Sequence, residues 1–332
     1  MVRIATLGVG AIGKTHCRNL AQIPGCQLVG VYDPDVETAE RVASQYRCRH
    51  FETAEMLCDS PNVDAVDICT PTPWHHSLCL LAAKHKKHVI TEKPMARTSD
   101  KAREMAEACE AAGVQLFVGQ VLRFFPEFVK GREIAQSGEV GRPIIARTTR
   151  GGRFPMGSSN WFGDLEQSGG VILDMMIHDL DWLRWTFGEP ESIFCRSIAA
   201  TREPPPDYAL ATIKFQNGML AHVEASWAHY SSFSVRVEVV GENGVMELDN
   251  ARTNPIKLVQ RDPDGAPGLE IPENPALKNP YYLELEHFVR VMEGKEECRV
   301  SPQDGIRAVE MCEAAIKSAL TGEVVSLVNR DE

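Results

Sequence analysis

Lys93 and the trio Asp174, His178 and Asp181 are the residues whose types and spacing suit proton transfer. In a helix, steps of four and three residues keep side chains on one face. Two carboxylates and an imidazole therefore project together from Ser168-Gly169-Gly170-Val171-Ile172-Leu173-Asp174-Met175-Met176-Ile177-His178-Asp179-Leu180-Asp181. Imidazole, with an ordinary pKa of about 6.5, exchanges protons near neutrality. The following Trp182-Leu183-Arg184-Trp185 makes the helix apolar nearly all round, where a carboxylate without a partner is costly. An Asp–His pair at this spacing also serves as an ordinary helix-stabilising contact. Lys93, followed by Pro94, ends an apolar run, and Pro94 removes a backbone donor and restrains the lysine backbone.

A second group suits a nucleotide. Gly8-Val9-Gly10-Ala11-Ile12-Gly13 follows an apolar strand and opens a helix. In such a turn Gly8 permits the tight strand-to-helix reversal, Gly10 lets a pyrophosphate approach the backbone at Ala11 and Ile12, and Gly13 lets the helix pack closely on the sheet. Asp33 lies 20 residues beyond Gly13, the position of a carboxylate that accepts from an adenosine ribose. A carboxylate there repels a 2′-phosphate, and Tyr32-Asp33-Pro34-Asp35 offers no arginine instead, so NAD(H) is expected over NADP(H). The competing readings are a purely structural glycine turn and a helix-capping Asp33.

The elements that must position these groups alternate. Strands are expected at 3–7, 27–32, 65–68, 88–91 and 115–118, with helices near 11–21, 36–46, 74–84 and 100–112. Continuous apolar strands between helices predict a doubly wound parallel sheet, which places Lys93 at the C-terminal strand ends where ligands gather. After about Arg123 the texture changes to alternating segments at 143–150, 192–200, 209–215, 219–228, 234–241 and 244–249. Hairpin signals at Asn217-Gly218 and Asn243-Gly244 join some of them. Helices are expected at 170–187, 281–292 and 303–320, and 261–280 reads as a surface excursion rich in Pro, Gly, Asp and Asn. The expected organisation is an NAD-binding Rossmann domain over 1–122 and a substrate-binding and oligomerisation α+β domain over 123–332, with a large, mostly antiparallel open sheet.

Composition narrows the function classes. The 332 residues, 43% of them hydrophobic, supply more than one domain core. A net charge of −11 with no basic block disfavours nucleic acid, and the absence of a long apolar run disfavours a membrane span. A soluble, cytoplasmic protein is expected. Its ten cysteines form no C-x-x-C pair, so no zinc knuckle or disulfide scaffold is read, and no metal is expected; His16, His85, His222 and His287 show no ligand spacing.

Two further stretches carry a family likeness: Cys69-Thr70-Pro71-Thr72-Pro73-Trp74-His75, and Glu92-Lys93-Pro94. With the glycine loop and the Gly-Gly-x-x-x-Asp-x-x-x-His-x-x-Asp run they resemble the Gfo/Idh/MocA oxidoreductases, and Met-Ile-His-Asp-x-Asp is similar to inositol dehydrogenases in particular. The resemblance implies that Thr70 and Pro71 line the nicotinamide side, that His75 begins a helix beneath it, and that Glu92 and Lys93 approach cofactor and substrate. It makes His178 the general base, Asp174 its orienting partner, Asp181 an acceptor for a substrate hydroxyl, and Lys93 the group completing an interdomain site. Arg123, Asn160 and Trp161 fall where relatives line the substrate cleft, although each also suits packing. His229 and Tyr230, ending a strand, are candidates for closing the pocket. Two departures stand out: Lys86 replaces a glycine helix stop, and Ser168 stands in the usual glycine triplet.

The expected activity is NAD-dependent oxidation of a secondary hydroxyl of an inositol-like polyol or sugar. The competitors are an NAD-retaining glycosidase or epimerase-like enzyme and a non-catalytic NAD- or sugar-binding regulator. An uncovered face of the second sheet predicts a homodimer or homotetramer.

Overall fold

The computed structural model describes residues 1–201, 205–229, 233–250 and 278–328. The chain divides into two compact units, Met1–Phe124 with Ala276–Ile306, and Phe125–Pro275 with Arg307–Glu332. The expected boundary at 122/123 thus lies two residues early, and 276–306, which sequence assigned to the second domain, groups with the first.

In the first unit, β1 (Val2–Leu7), β2 (Cys26–Tyr32), β3 (Arg49–His50), β4 (Ala65–Ile68), β5 (His88–Glu92) and β6 (Leu116–Gly119) form one sheet in the order β3-β2-β1-β4-β5-β6. All its pairings are parallel, which is the doubly wound dinucleotide-binding order. The strands are apolar without alternation because both faces are covered; β4 and β6 are buried throughout. Helices α1 (Ala11–Leu20), α2 (Val36–Tyr46), α3 (Ala54–Asp59), α4 (His75–Lys84) and α5 (Ser99–Ala112) connect them. Asp35, Thr53 and Thr98 cap α2, α3 and α5 by accepting backbone N–H groups. The later helix Pro280–Met292 belongs here because Phe288 packs on Phe117 of β6, with ring centroids 5.0 Å apart.

Among the described residues the second unit is built on a seven-stranded sheet. In chain order it contains β7 (Pro143–Gly151), β8 (Pro190–Ile198), β9 (Tyr208–Phe215), β10 (Leu220–Ser226), β11 (Ser234–Gly241), β12 (Val245–Asp249) and β13 (Val325–Ser326). Their spatial order is β12-β11-β7-β10-β9-β8-β13. Its pairings are antiparallel except β7 with β10, which is parallel. Burial alternates along β9, as a sheet with one open face requires, and both Asn-Gly hairpins close as expected, with Gly218 at φ +86°. On the covered face lie α6 (Pro126–Ser137) and α7 (Ile177–Phe187), joined through Trp182, whose indole stands edge-on to Phe128 and donates to its carbonyl at 3.0 Å.

Sequence predicts one helix over 170–187. The structure shows a π-helical turn at Ile172–Met176 that passes into α7 at Ile177. Such turns widen a helix by one residue and recur at functional positions.

Candidate functional site

In the first unit the glycine turn has the predicted constraints. Gly8 has φ +86°, and a Cβ there would meet Thr70 at 2.9 Å. A Cβ on Gly13 would lie 2.0 Å from the Gly8 carbonyl oxygen, so this glycine lets α1 close on the turn. A Cβ on Gly10 meets nothing within 4 Å, and α1 begins there with no side-chain cap. The amides of Ala11 and Ile12 thus open a helix N-terminus beside free space, which suits a phosphate. Asp33 is half-buried. Its Oδ2 accepts from Val9 N at 2.8 Å and its Oδ1 from Asp35 N at 2.9 Å, so it ties the end of β2 to the glycine loop and retains lone pairs for a ribose. Residues and space together fit a dinucleotide.

Around β4 and β5, His75 acts as a brace. Its Nε2 lies 2.8 Å from the Thr70 carbonyl and its Nδ1 2.9 Å from that of Pro94, linking two strand-end loops. Burial pushes its pKa down, with the two carbonyls pulling the other way. The Thr70 hydroxyl is buried without a hydrogen-bond partner, and so is the whole carboxamide of Gln120 just beyond β6. Sequence reasoning missed Gln120; no local pattern distinguishes it. Pro71 precedes a short 3₁₀ turn at Thr72–Trp74. Glu92 is buried, with Oε1 3.2 Å from His16 Nε2 and Oε2 accepting Lys93 N at 3.0 Å. Lys93 is different: from Val89 to Ala96 it is the one residue that is not buried.

Arg123, a candidate substrate contact, is instead 2% exposed, and it donates to the Arg299 carbonyl and to Asp304 Oδ2, both at 3.1 Å. These contacts give it the packing role weighed as its alternative.

In the second unit, from Val171 to Leu183 every residue is buried except Asp174 and His178. Trp227 Nε1 donates to Asp174 Oδ2 at 3.2 Å. Phe162 stands edge-on to Trp227, and Trp161 stacks on Phe162 with centroids 3.9 Å apart, so the expected Trp161 joins the aromatic group behind Asp174. Asn160 is exposed and left-handed, with φ +51°. Asp181 is buried, unlike the open pair, and Asp179 makes a two-pronged buried ion pair with Arg150 at 2.7 and 3.1 Å. His229 packs over Gly151, where a Cβ would come within 2.9 Å of its ring. Tyr230 lies outside the described residues.

A glycine-turned parallel sheet with an open helix N-terminus and Asp33 at the end of its second strand is the build of a dinucleotide-binding domain, here followed by a second, mostly antiparallel sheet domain. Residues 2–120 match the model of the oxidoreductase family with an NAD-binding Rossmann fold, and 128–247 match the GFO/IDH/MocA C-terminal domain. The myo-inositol 2-dehydrogenase of Thermotoga maritima is 30% identical, with 96% of each chain covered. The scyllo-inositol 2-dehydrogenase (NAD(+)) of Bacillus subtilis is 29% identical over 98% of this chain and 96% of its own. Among solved structures, a probable dehydrogenase from Thermotoga maritima superposes with a TM-score of 0.85 at 30% identity, covering 98% of this chain and 99% of that one. The chain belongs to the Gfo/Idh/MocA family. It is an NAD(P)-dependent oxidoreductase of the CH–OH class with an NAD-binding Rossmann domain.

Proposed function

We propose that the protein is a dehydrogenase that oxidises a secondary hydroxyl of a cyclic polyol or sugar, with an inositol-like compound as the leading substrate class. One observation carries this reading. Two otherwise buried runs, Val89–Ala96 and Val171–Leu183, leave open only Lys93, Asp174 and His178. Burial that spares an ammonium, a carboxylate and an imidazole while covering their neighbours is the pattern of groups kept for a ligand. The relatives named above, two of them inositol dehydrogenases, support the polyol.

NAD, when bound, supplies the acceptor for the hydride that leaves the carbinol carbon. His178 takes the hydroxyl proton, and Asp174 stabilises the charged ring that results. Asp174 is itself held by the Trp227 indole N–H. The Lys93 ammonium orients the reacting oxygen and shares its proton. Asp33 favours NAD over NADP, because a carboxylate at the end of the second strand of this fold would accept from the ribose hydroxyls and repel a 2′-phosphate.

The open face of the second sheet, which carries Leu210 and Leu220, supports a homodimer or homotetramer through that surface, and sedimentation velocity tests it.

The deciding experiment incubates the protein with a panel of inositols and sugars and with NAD or NADP at equal concentration. The expected result is NADH in stoichiometric amount with a ketone product, lost in Lys93→Met and in His178→Asn. Unchanged turnover in both variants, or turnover with only catalytic NAD, would overturn the proposal.

A further inference from the structure

The first unit contains a titratable cluster that the proposed reaction does not use. His16 of α1 is buried, with Nδ1 3.0 and 3.2 Å from the two oxygens of Asp67 in β4 and Nε2 3.2 Å from Glu92 Oε1. An imidazole facing carboxylates through both nitrogens has a proton for each only as imidazolium. Burial alone would discharge it, but Cys69 and Asp67 hold its pKa well above the usual histidine value.

Glu284, on the helix Pro280–Met292, faces the same point. It is 0% exposed, neither of its oxygens has a hydrogen-bond partner, and a carboxylate oxygen of it lies within 4.8 Å of ligand atoms of both His16 and Glu92. One imidazolium therefore stands among three buried carboxyl groups. A third negative charge in that space is uncompensated and costly, so one carboxyl must keep a proton or a further cation must enter.

The unpartnered Glu284 is the group left to carry the proton. A protonated carboxyl is a donor, and an oxygen of Glu92, an acceptor, lies within 4.8 Å of it. Glu92 is confined on its other side by Gly119, where a Cβ would already meet its Cδ and Oε1 at 3.4 Å.

We propose that Glu284 is a positioning residue: a neutral carboxyl that hydrogen-bonds Glu92 and, because Glu92 accepts the Lys93 backbone N–H, fixes the strand end that carries Lys93. The proposal rests on the role given above to Lys93. The groups facing Glu284 are His16 from α1 and Glu92 from β5, with the Asp67 charge of β4 also acting on it; Thr6 of β1 bonds to Asp67, and Cys69 to His16. Tyr281 on its own helix stacks near His16, with centroids 6.0 Å apart. Burial pushes the Glu284 pKa well up, the Glu92 charge adds to this, and His16 opposes it.

An acid whose folded pKa exceeds its unfolded value contributes stability that is complete below the unfolded value and is lost as pH rises through the folded one. Glu284→Gln is isosteric, stays neutral and still donates.

The test compares wild type, Glu284→Gln and Glu284→Leu. Infrared spectra of wild type are expected to show the carbonyl band of a buried carboxylic acid, absent from Glu284→Gln. The melting temperature of Glu284→Gln minus that of wild type is expected to widen as pH rises. Glu284→Leu, which has no donor, is expected to lose roughly ten- to hundredfold in kcat, with Glu284→Gln restoring it near neutral pH.

A missing carbonyl band, a melting difference that is flat or narrows with pH, or a folded Glu284→Leu with wild-type kcat would each overturn the proposal. So would a stoichiometric divalent metal in the purified protein that is lost in Glu284→Gln. If no polyol or sugar is turned over at all, the function proposal fails, while the infrared and melting measurements still decide the state of Glu284.

Discussion

His16 and His178 are each accompanied by aspartate, but burial separates them. His16 is shut in the first unit among Asp67, Cys69, Glu92 and Glu284, with both ring nitrogens occupied by carboxylates. His178 belongs to a helix whose neighbours are buried while it and Asp174 stay partly open. Residue type is the same in both places, yet one arrangement can only hold charge in place and the other can exchange a proton with something that arrives. Accessibility, set by the elements around each histidine, distinguishes a brace from a base.

The largest expected effect tests the open side. His178→Asn should lower kcat about 10²–10⁴-fold, the range lost when a general base is removed, while the melting temperature stays near wild type. An equal loss of stability would place His178 with the braces. The closed side predicts the reverse. His16→Gln leaves the surrounding carboxyls without their cation and should cost about 3–5 kcal/mol, read by urea denaturation. A His16 variant as stable as wild type would break the contrast from the other end.

These two sites differ in how far sequence reveals them. The helix at His178 was legible because a polar i, i+4 pair in an apolar run is conspicuous; its π-turn was not, since a helix apolar all round reads the same with one residue inserted. The parallel strands were legible as unbroken apolar runs, and β3 was too short at two residues to register. Helix α6 escaped because Gly131 interrupts its pattern. In the structure that glycine is where Met246 and Trp182 come closest, at 3.3 and 3.7 Å from an added Cβ. The closed cluster gave no sign, because Glu284 lies far along the chain and no periodicity tells which sheet an amphipathic helix covers. One family departure reads through clearly: Lys86 keeps the left-handed conformation of the glycine it replaces, at φ +55°.

Asp33 is intermediate between the two histidine sites, half-buried and committed to two backbone amides while still open to a ligand. Asp33→Ala should weaken NADH binding about 10- to 100-fold, measured by fluorescence titration, because charged hydrogen bonds are worth about 1.5–3 kcal/mol. The Lys86 turn calibrates a purely structural change. Lys86→Gly should raise stability by about 1 kcal/mol, since a non-glycine residue in the left-handed region costs that much or more, and kcat should not move.

The smallest effect concerns how the open pair is held. Trp227 is buried between Phe154 and Phe162, with ring centroids 5.0 and 6.1 Å away, and its indole N–H reaches Asp174. Trp227→Phe keeps an aromatic ring among those neighbours and removes the donor. A single hydrogen bond to a carboxylate is worth about 1.5 kcal/mol or somewhat more, so kcat should fall roughly tenfold. A tenfold fall in kcat with unchanged melting temperature assigns Trp227 to the holding of Asp174. A fall in stability with unchanged kcat makes it another packing residue, and the open site then depends on fewer of its neighbours than the closed one does.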